Sequence, residues 1–267
     1  MHLRHTALVL MPIHSLRIAL HRPALWAVLL LGWVAMGCKD GSSRRPFLPA
    51  DAGPSTLALR GKLIFDATPA IARAYTGDLL SCGDCHLQSG TAAYALPMID
   101  VAGLFPRFSR RAGRTITLVD RIQECFVRSE NGAPPPASSS EMRALVAYIG
   151  WLSRRGRMGV PYRGRGLVQL ATLTGNPHAG RRIYRSRCAG CHGADGAGMA
   201  PALPPLWGAG SFSDAAGMSR IPQMAAFVQH NMPPNAPGSL TPRQAYDVAA
   251  YVAGRPRPKL NQAYQSY

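Results

Sequence analysis

Two short motifs constrain the fold of this 267-residue chain more than any other feature. Each has the pattern C-x-x-C-H, which is typical of covalent c-type haem attachment. Two thiols three positions apart can reach the two vinyl groups of one porphyrin, and the histidine that follows supplies a proximal ligand to the iron. The sequence therefore predicts two covalently bound haem c groups. The predicted attachment residues are Cys82, Cys85 and His86 in the first motif, and Cys188, Cys191 and His192 in the second.

A zinc site or a set of disulfides is the alternative interpretation of these cysteines. The chain has six cysteines, and an even count in an exported protein is compatible with disulfide pairing. However, Cys82 and Cys188 stand 106 positions apart, whereas the cysteine pairs of zinc ribbons begin about 15–20 residues apart. A histidine follows both pairs, so haem attachment is the favoured interpretation.

The residues around the motifs indicate two copies of one plan. Residues 61–65 and 180–184 both read Gly-x-x-Ile-aromatic. The second of these lies in a predicted helix, for which Asn176 is a good N-cap. A closing helix is predicted after each motif, one opening at Ser140 and the other at Thr241.

The arrangement resembles two class I cytochrome c domains in tandem. The resemblance implies an all-α fold in which each domain carries one covalently bound haem, with its first and last helices crossing near it. The predicted segments are a signal at 1–37, a flexible tether at 38–55, a first domain at 56–156, a linker at 157–174, a second domain at 175–257 and a tail at 258–267.

The amino terminus predicts an exported protein. A basic start is followed by an apolar block at 24–37, which is shorter than the roughly 20 residues of a membrane span. The block ends at Cys38 in a pattern that resembles a bacterial lipobox, although Ala35 stands where leucine is usual. We expect a periplasmic protein with a lipid anchor on Cys38. Ordinary signal cleavage and an uncleaved anchor are the alternatives.

The candidates for the distal ligand of the second haem iron are methionines. Met232 precedes a proline on the loop before the last predicted helix, which is the usual position of the distal ligand in class I cytochromes c. Met218 is the alternative. Histidine and methionine ligation raises a haem potential.

The first domain lacks such a Met-Pro, and Cys125 is the candidate ligand in its place. A helix capped by Thr117 and Asp120 would put Arg121, Cys125 and Ser129 on one face, because they are four residues apart. The alternative is that Cys125 is a small buried apolar residue. An adjacent arginine favours the thiolate, and thiolate ligation would make the first haem the low-potential one.

Several short segments resemble the bacterial thiosulfate dehydrogenases, which are dihaem cytochromes c. In the first half they are Arg121-Ile122, Cys125-Phe126, Arg128-Ser129 and Asn131-Gly132, and in the second half they include residues 204–208 and Asn231-Met232-Pro233. The resemblance implies that the first haem, ligated by His86 and Cys125, is catalytic. It also implies an anion pocket formed by Arg111, Arg121 and Ser129, with Arg110 an equally adjacent candidate for the first of these, and an electron-exit haem ligated by His192 and Met232.

This resemblance implies the oxidation of two thiosulfates to tetrathionate, with a direction that the residues do not fix. Electrons would pass from the first haem to the second and on to an external carrier, such as a cytochrome c or another high-potential protein. We hypothesise that the Cys125 sulfur also holds a sulfane sulfur covalently.

The basic composition is consistent with an anionic substrate but does not identify it. The chain carries 30 Lys and Arg against 13 Asp and Glu, a net charge of +17. Nucleic acid is not an expected partner of an exported protein, and the basic surface better suits an acidic redox partner or anionic lipid. The remaining alternatives are a dihaem electron shuttle without a substrate and a sulfur-carrying or ligand-sensing cytochrome.

Overall fold

The structure is a computed structural model that describes residues 53–156 and 160–267. The predicted signal segment, most of the predicted tether and Cys38 lie outside the described residues. Among the helices that are described, none has both the length and the apolar character needed to cross a membrane.

Helices dominate the described residues. They are α1 (Thr56–Asp66), α2 (Thr68–Ile71), α3 (Cys82–Cys85), α4 (Leu87–Gly90), α5 (Leu118–Arg128), α6 (Ser140–Ser153), α7 (Pro177–Arg187), α8 (Ala189–His192), α9 (Ile221–Asn231) and α10 (Pro242–Ala253). Short 3-10 turns lie at Arg73–Tyr75, Ala102–Leu104, Gly217–Ser219 and Gln262–Tyr264. Two strands, β1 (Arg107–Ser109) and β2 (Arg114–Ile116), complete the set.

The core of the amino-terminal half forms where α1 crosses α6. A Cβ atom at Gly61 would lie 2.0 Å from the carbonyl oxygen of Ala144, so only glycine permits this approach of the two backbones. One turn along α1, the ring of Phe65 contacts that of Tyr148 edge to face, with centroids 5.5 Å apart. The first and last helices of this half therefore pack directly against each other.

The carboxy-terminal half repeats this packing with α7 and α10. A Cβ atom at Gly180 would lie 1.9 Å from the carbonyl oxygen of Asp247. The ring centroids of Tyr184 and Tyr251 lie 5.4 Å apart, close to the 5.5 Å between Phe65 and Tyr148 in the other half. The predicted helix starts are also found: Asn176 caps α7, Ser139 caps α6 and Thr241 caps α10 with their side chains.

A small hairpin departs from the all-α expectation. Strands β1 and β2 pair antiparallel, with Phe108 opposite Thr115, and Gly113 in the connecting turn has a φ of +64°. Strands of three largely exposed residues leave too short a pattern to recognise in the sequence. The hairpin matters for the site because its turn carries Arg110 and Arg111.

Helix α5 begins where the sequence predicts. The hydroxyl of Thr117 accepts a hydrogen bond from the amide of Asp120, and the Asp120 carboxylate accepts one from the amide of Thr117. Arg114 of β2 donates to the Asp120 carboxylate at 2.8 Å, and this bond lowers the Asp120 pKa to about 2. The capping box thus ties α5 to the hairpin.

The segment predicted as a linker is partly built into the amino-terminal half. The amide of Tyr94 donates to the carbonyl of Gly164, and that of Leu96 donates to the carbonyl of Gly166. Tyr162 and Arg165 both donate to the carboxylate of Asp100. Residues 162–166 therefore hold the loop that follows the first C-x-x-C-H motif.

Candidate functional site

The histidines of the two motifs are oriented alike. His86 Nδ1 lies 2.5 Å from the carbonyl oxygen of Leu96, and His192 Nδ1 lies 2.9 Å from that of Pro204. Metal-ligating histidines usually donate their second ring N–H to such an acceptor, which leaves Nε2 for the metal. Burial lowers the His86 pKa to about 4, with a smaller contribution from Arg121, so its imidazole is neutral at physiological pH.

An apolar pocket lies beside the second motif. It fits a haem because the two cysteines and the histidine of the motif line it together with apolar side chains. The residues that line it include Tyr184, Cys188, Cys191, His192, Pro204, Leu206, Phe212, Met218, Met224, Phe227, Met232, Val248 and Val252.

Three methionines of the carboxy-terminal half line this pocket together with His192. They are the two candidates Met218 and Met232 and, in addition, Met224, whereas Met199 of the same half is 62% exposed. Met232 immediately follows α9 on extended backbone, and its amide donates to the carbonyl of Val228. The structure thus places the predicted ligand Met232 and its alternative Met218 at the same cavity.

The first C-x-x-C-H motif borders the pocket that lies beside the second motif. Leu80, Asp84 and Cys85 form part of its wall, although they belong to the amino-terminal half of the sequence. Burial raises the pKa of the Cys82 and Cys85 thiols, so both are neutral until thioether bonds replace them. The two candidate haem sites are therefore neighbours.

Cys125 is half-buried on α5 and lies near the first motif. The Cys125 sulfur is one of the groups whose Coulombic interaction raises the pKa of Cys82 and Cys85, after burial and nearby carboxylates such as Glu130. Its interaction is also the largest cause of the raised pKa of Arg121. The structure therefore places Cys125, Arg121 and the first motif near one another. Ser129 is the C-cap of α5, and its amide donates to the carbonyl of Cys125.

Glu124 is a site residue that sequence reasoning missed. Its carboxylate lies 3.2 Å from Nη1 of Arg121 and 3.9 Å from Nη1 of Arg111, and its side chain is only 7% exposed. Its second oxygen, Oε1, is buried without a hydrogen-bond partner among the described residues. Glu124 therefore draws a guanidinium of the hairpin and one of α5 to the same place. This ion pair involves Arg111 and not the neighbouring Arg110.

Two further buried acids, which the sequence does not indicate as site residues, lie beside the first motif. Burial raises the pKa of Asp78 to about 7, and it raises the pKa of Glu130 well above its usual range. At neutral pH Glu130 is therefore protonated, and Asp78 is only partly ionised.

The described residues contain neither a disulfide bond nor a cluster of side chains placed to hold a metal ion. Cys82, Cys85, Cys125, Cys188 and Cys191 are all free thiols there. Residues 53–156 and 160–267 also contain no group of three or more His, Cys, Asp or Glu side chains placed to hold a metal ion.

Two family models match the chain, one in each half. The model of the SoxA/TsdA cytochrome c domain matches residues 73–158. The model of cytochrome c oxidase, cbb3-type, subunit III matches residues 175–252. The expectation of two cytochrome c domains is confirmed, and such domains imply covalently bound haem c.

Similar proteins extend the match over most of the chain. The chain is 40% identical to the thiosulfate dehydrogenase of Allochromatium vinosum over 211 residues, which covers 75% of this chain and 78% of that protein. It is 37% identical to that of Stutzerimonas stutzeri over 218 residues, covering 79% and 71% respectively. A solved structure of the thiosulfate dehydrogenase TsdBA from Marichromatium purpuratum superposes with a TM-score of 0.70 at 31% identity. That match covers 77% of this chain but only about half, 48%, of the solved chain.

Proposed function

Because this chain belongs to the thiosulfate dehydrogenase family, we propose that it joins two thiosulfate ions into tetrathionate and passes the two released electrons to an external carrier. The observation that carries the proposal is the cluster formed by Cys125, Arg121 and Arg111 around Glu124, next to the first C-x-x-C-H motif. A pure electron carrier has no need of a thiolate and converging guanidinium groups at one haem.

The proposed cofactors are two haem c groups, one on each motif. His86 and Cys125 would ligate the first iron, and His192 and Met232 the second. Supporting this assignment, each histidine is oriented by a backbone carbonyl, and Met232 faces the same cavity as His192. The haems supply the chemistry of one-electron acceptance, so two of them match the two electrons released for each tetrathionate.

The arginines can offset the electrostatic repulsion between the two thiosulfate ions. Thiosulfate is a dianion, and two unit charges about 4 Å apart repel by roughly 4 kcal/mol at an effective dielectric of 20. Guanidinium groups bind oxyanions through paired N–H donors and can offset that repulsion. Arg111 and Arg121 are each about 40% exposed on their side chains, so an incoming anion can reach both. We assign Ser129, one turn after Cys125, as a further polar contact of the bound anion.

Cys125 gives a balanced two-step route. In the first step its thiolate would leave the iron and bond to the outer sulfur of one thiosulfate, and the two electrons given up would be accepted one by each haem. In the second step the outer sulfur of another thiosulfate attacks that bonded sulfur, tetrathionate leaves and the thiolate is restored. Both steps conserve charge, and the reverse sequence reduces tetrathionate.

The proposed electron route runs from the first haem to the second. Cys85, an attachment residue of the first motif, lies on the wall of the pocket beside the second motif. This position supports a short path between the two haems. Ligation by a thiolate at the first iron and by methionine at the second would order their potentials in that direction. The final acceptor would be a cytochrome c or another high-potential carrier.

The site of action is part of the proposal. A basic start, an apolar block and the lipobox-like end at Cys38 support export to a bacterial periplasm, with a lipid on Cys38 as the anchor. Mass spectrometry of the mature amino terminus tests this assignment, because a lipidated Cys38 and an ordinary cleaved end differ in mass by the acyl groups.

Thiosulfate should reduce the purified holoprotein. When thiosulfate is added to the oxidised protein, we expect the reduced-haem absorption bands to appear without any other donor, and tetrathionate to accumulate once an acceptor is supplied. Ascorbate reduction of the same sample gives the full amplitude for comparison. Haems that ascorbate reduces but thiosulfate does not would indicate an electron shuttle, and haem reduction without tetrathionate would indicate a sulfur-binding cytochrome.

Substituting Glu124 should weaken substrate binding more than it slows the chemistry. In Glu124→Gln the carboxylate that draws Arg111 and Arg121 together becomes a neutral amide, which removes the ion pair with Arg111 and the charge-assisted hydrogen bond from Arg121, worth about 1.5–3 kcal/mol. We expect KM for thiosulfate to rise about tenfold, with kcat within threefold of the parent. Gln123→Ala is the matched control on the same helix. It removes the hydrogen bond that the Gln123 side chain donates to the carbonyl of Pro135. An unchanged KM in Glu124→Gln would show that the arginines hold their places without it.

A further inference from the structure

A third arginine, Arg128 at the end of α5, lies beside the proposed anion pocket and is already hydrogen-bonded. Arg128 follows Arg121 by seven residues and Cys125 by three, so all three project from the same side of the helix. After burial, Arg111 is the largest cause of the lowered pKa of Arg128, and Arg121 contributes as well. The guanidinium of Arg128 therefore belongs to the same cationic cluster.

The partner of Arg128 is the backbone of the carboxy-terminal segment, residues 258–267. Its Nε donates to the carbonyl oxygen of Tyr267 at 2.7 Å, and its Nη2 donates to the same oxygen. These two N–H groups are the side-on pair that guanidinium groups offer to oxyanions. An oxyanion can use that pair only after the Tyr267 carbonyl has left.

The segment itself is held loosely. None of its ten residues is buried. Its start is attached to Asp214, through the amide of Leu260 at 3.0 Å and an ion pair with Lys259, whose side chain is 84% exposed. Exposed ion pairs of this kind contribute at most about 1 kcal/mol. Segments with few buried contacts open locally at low free-energy cost.

The other side of Arg128 is fixed independently of this segment. Its carbonyl oxygen accepts a hydrogen bond from the buried hydroxyl of Ser213 at 2.7 Å. The end of α5 therefore keeps its place when the segment leaves, and the released guanidinium remains at the pocket.

We propose that Arg128 is a third oxyanion-binding residue of this site, and that the carboxy-terminal segment competes with the substrate anion for it. The inference rests on the proposed function for the identity of the substrate. The competition itself requires only that the ligand be a divalent oxyanion, because the segment and the ligand would share the two N–H donors of Arg128. The segment thereby sets the anion concentration at which the site fills.

Removing the end of the segment tests the competition. In a holoprotein lacking residues 262–267, we expect KM for thiosulfate to fall three- to tenfold with kcat within twofold. Arg128→Gln should raise KM, and the same truncation in the Arg128→Gln background should change nothing further. Arg243→Gln, which removes an arginine bound to the carbonyl of Thr174, is the matched control and should keep the parent KM. A KM that rises or stays constant on truncation overturns the proposal.

A second measurement does not depend on turnover or on the truncated protein folding. Hydrogen exchange of the full-length holoprotein should speed up across residues 258–267 when inorganic sulfate is added, and more so in Asp214→Ala, which lacks the attachment of Lys259 and Leu260. If neither sulfate nor thiosulfate changes the exchange, the proposal is wrong. If sulfate releases the segment while thiosulfate fails to reduce the haems, the proposal holds for oxyanions and the proposed function fails.

Discussion

Replacing Cys125 by alanine should abolish thiosulfate oxidation while leaving both haems attached. The thioether bonds depend on the cysteines of the two C-x-x-C-H motifs, so haem content should be unchanged. The thiolate has two assigned roles, as a ligand of the first iron and as the group that bonds to sulfur. Because one substitution removes both, we expect kcat/KM to fall about a thousandfold or more.

The assay is thiosulfate-dependent reduction of an external acceptor, with haem content measured on the same sample. Cys125→Met separates the two roles, because a thioether can ligate iron but cannot form a persulfide-type bond. We expect this variant to be inactive as well. Gln123→Ala, on another side of α5, should remain active. Activity within tenfold of the parent in Cys125→Ala would rule out a catalytic thiolate.

Replacing Gly61 by alanine should strongly destabilise the amino-terminal half. The added Cβ would lie 2.0 Å from the carbonyl oxygen and 2.6 Å from the carbonyl carbon of Ala144, both of which are backbone atoms and cannot rotate away. Helices α1 and α6 would have to separate, which would also disturb the contact of Phe65 with Tyr148. Overpacking of this kind costs about 3 kcal/mol.

The urea midpoint of the holoprotein measures this loss, and α6 supplies a matched control. Gly150 lies on the same helix as Ala144, but a Cβ there would meet no atom within 4 Å. Alanine favours the helix at such a position by up to about 1 kcal/mol, so Gly150→Ala should be neutral or stabilising. Equal midpoints for the two variants would mean that the helix crossing tolerates a wider separation than the structure shows.

The sequence predicts those parts of the site that depend on neighbours along the chain. The attachment motifs, the N-caps at Thr117, Asn176 and Thr241, and the helical stripe through Cys125 are all local patterns. The duplicated Gly-x-x-Ile-aromatic pattern also anticipated two copies of one plan, and the matching helix crossings at Gly61 and Gly180 follow from it.

Other parts of the site depend on residues that are distant in sequence. The carbonyl of Leu96 that orients His86 is held in place by residues 164–166, which lie in the segment that the sequence predicts to be a linker. In the sequence, Glu124 is indistinguishable from any other polar residue of a helix. Its role depends on the hairpin, which brings Arg111 to its carboxylate. Similarly, no local signal indicates that Cys85 borders the pocket of the second motif.

The sequence by itself determined the cofactor chemistry, the helical class and the residue types available to an anion, because covalent attachment, capping and helical periodicity act over a few positions. The tertiary structure alone decided which charges meet. It set Glu124 between two arginines and laid residues 258–267 against Arg128, 139 positions away from Tyr267. Arg121 lies one turn before Glu124 on the same helix, but the contacts of Glu124 with Arg111 and of Arg128 with Tyr267 arise from packing of whole elements, and no short window of sequence contains both partners.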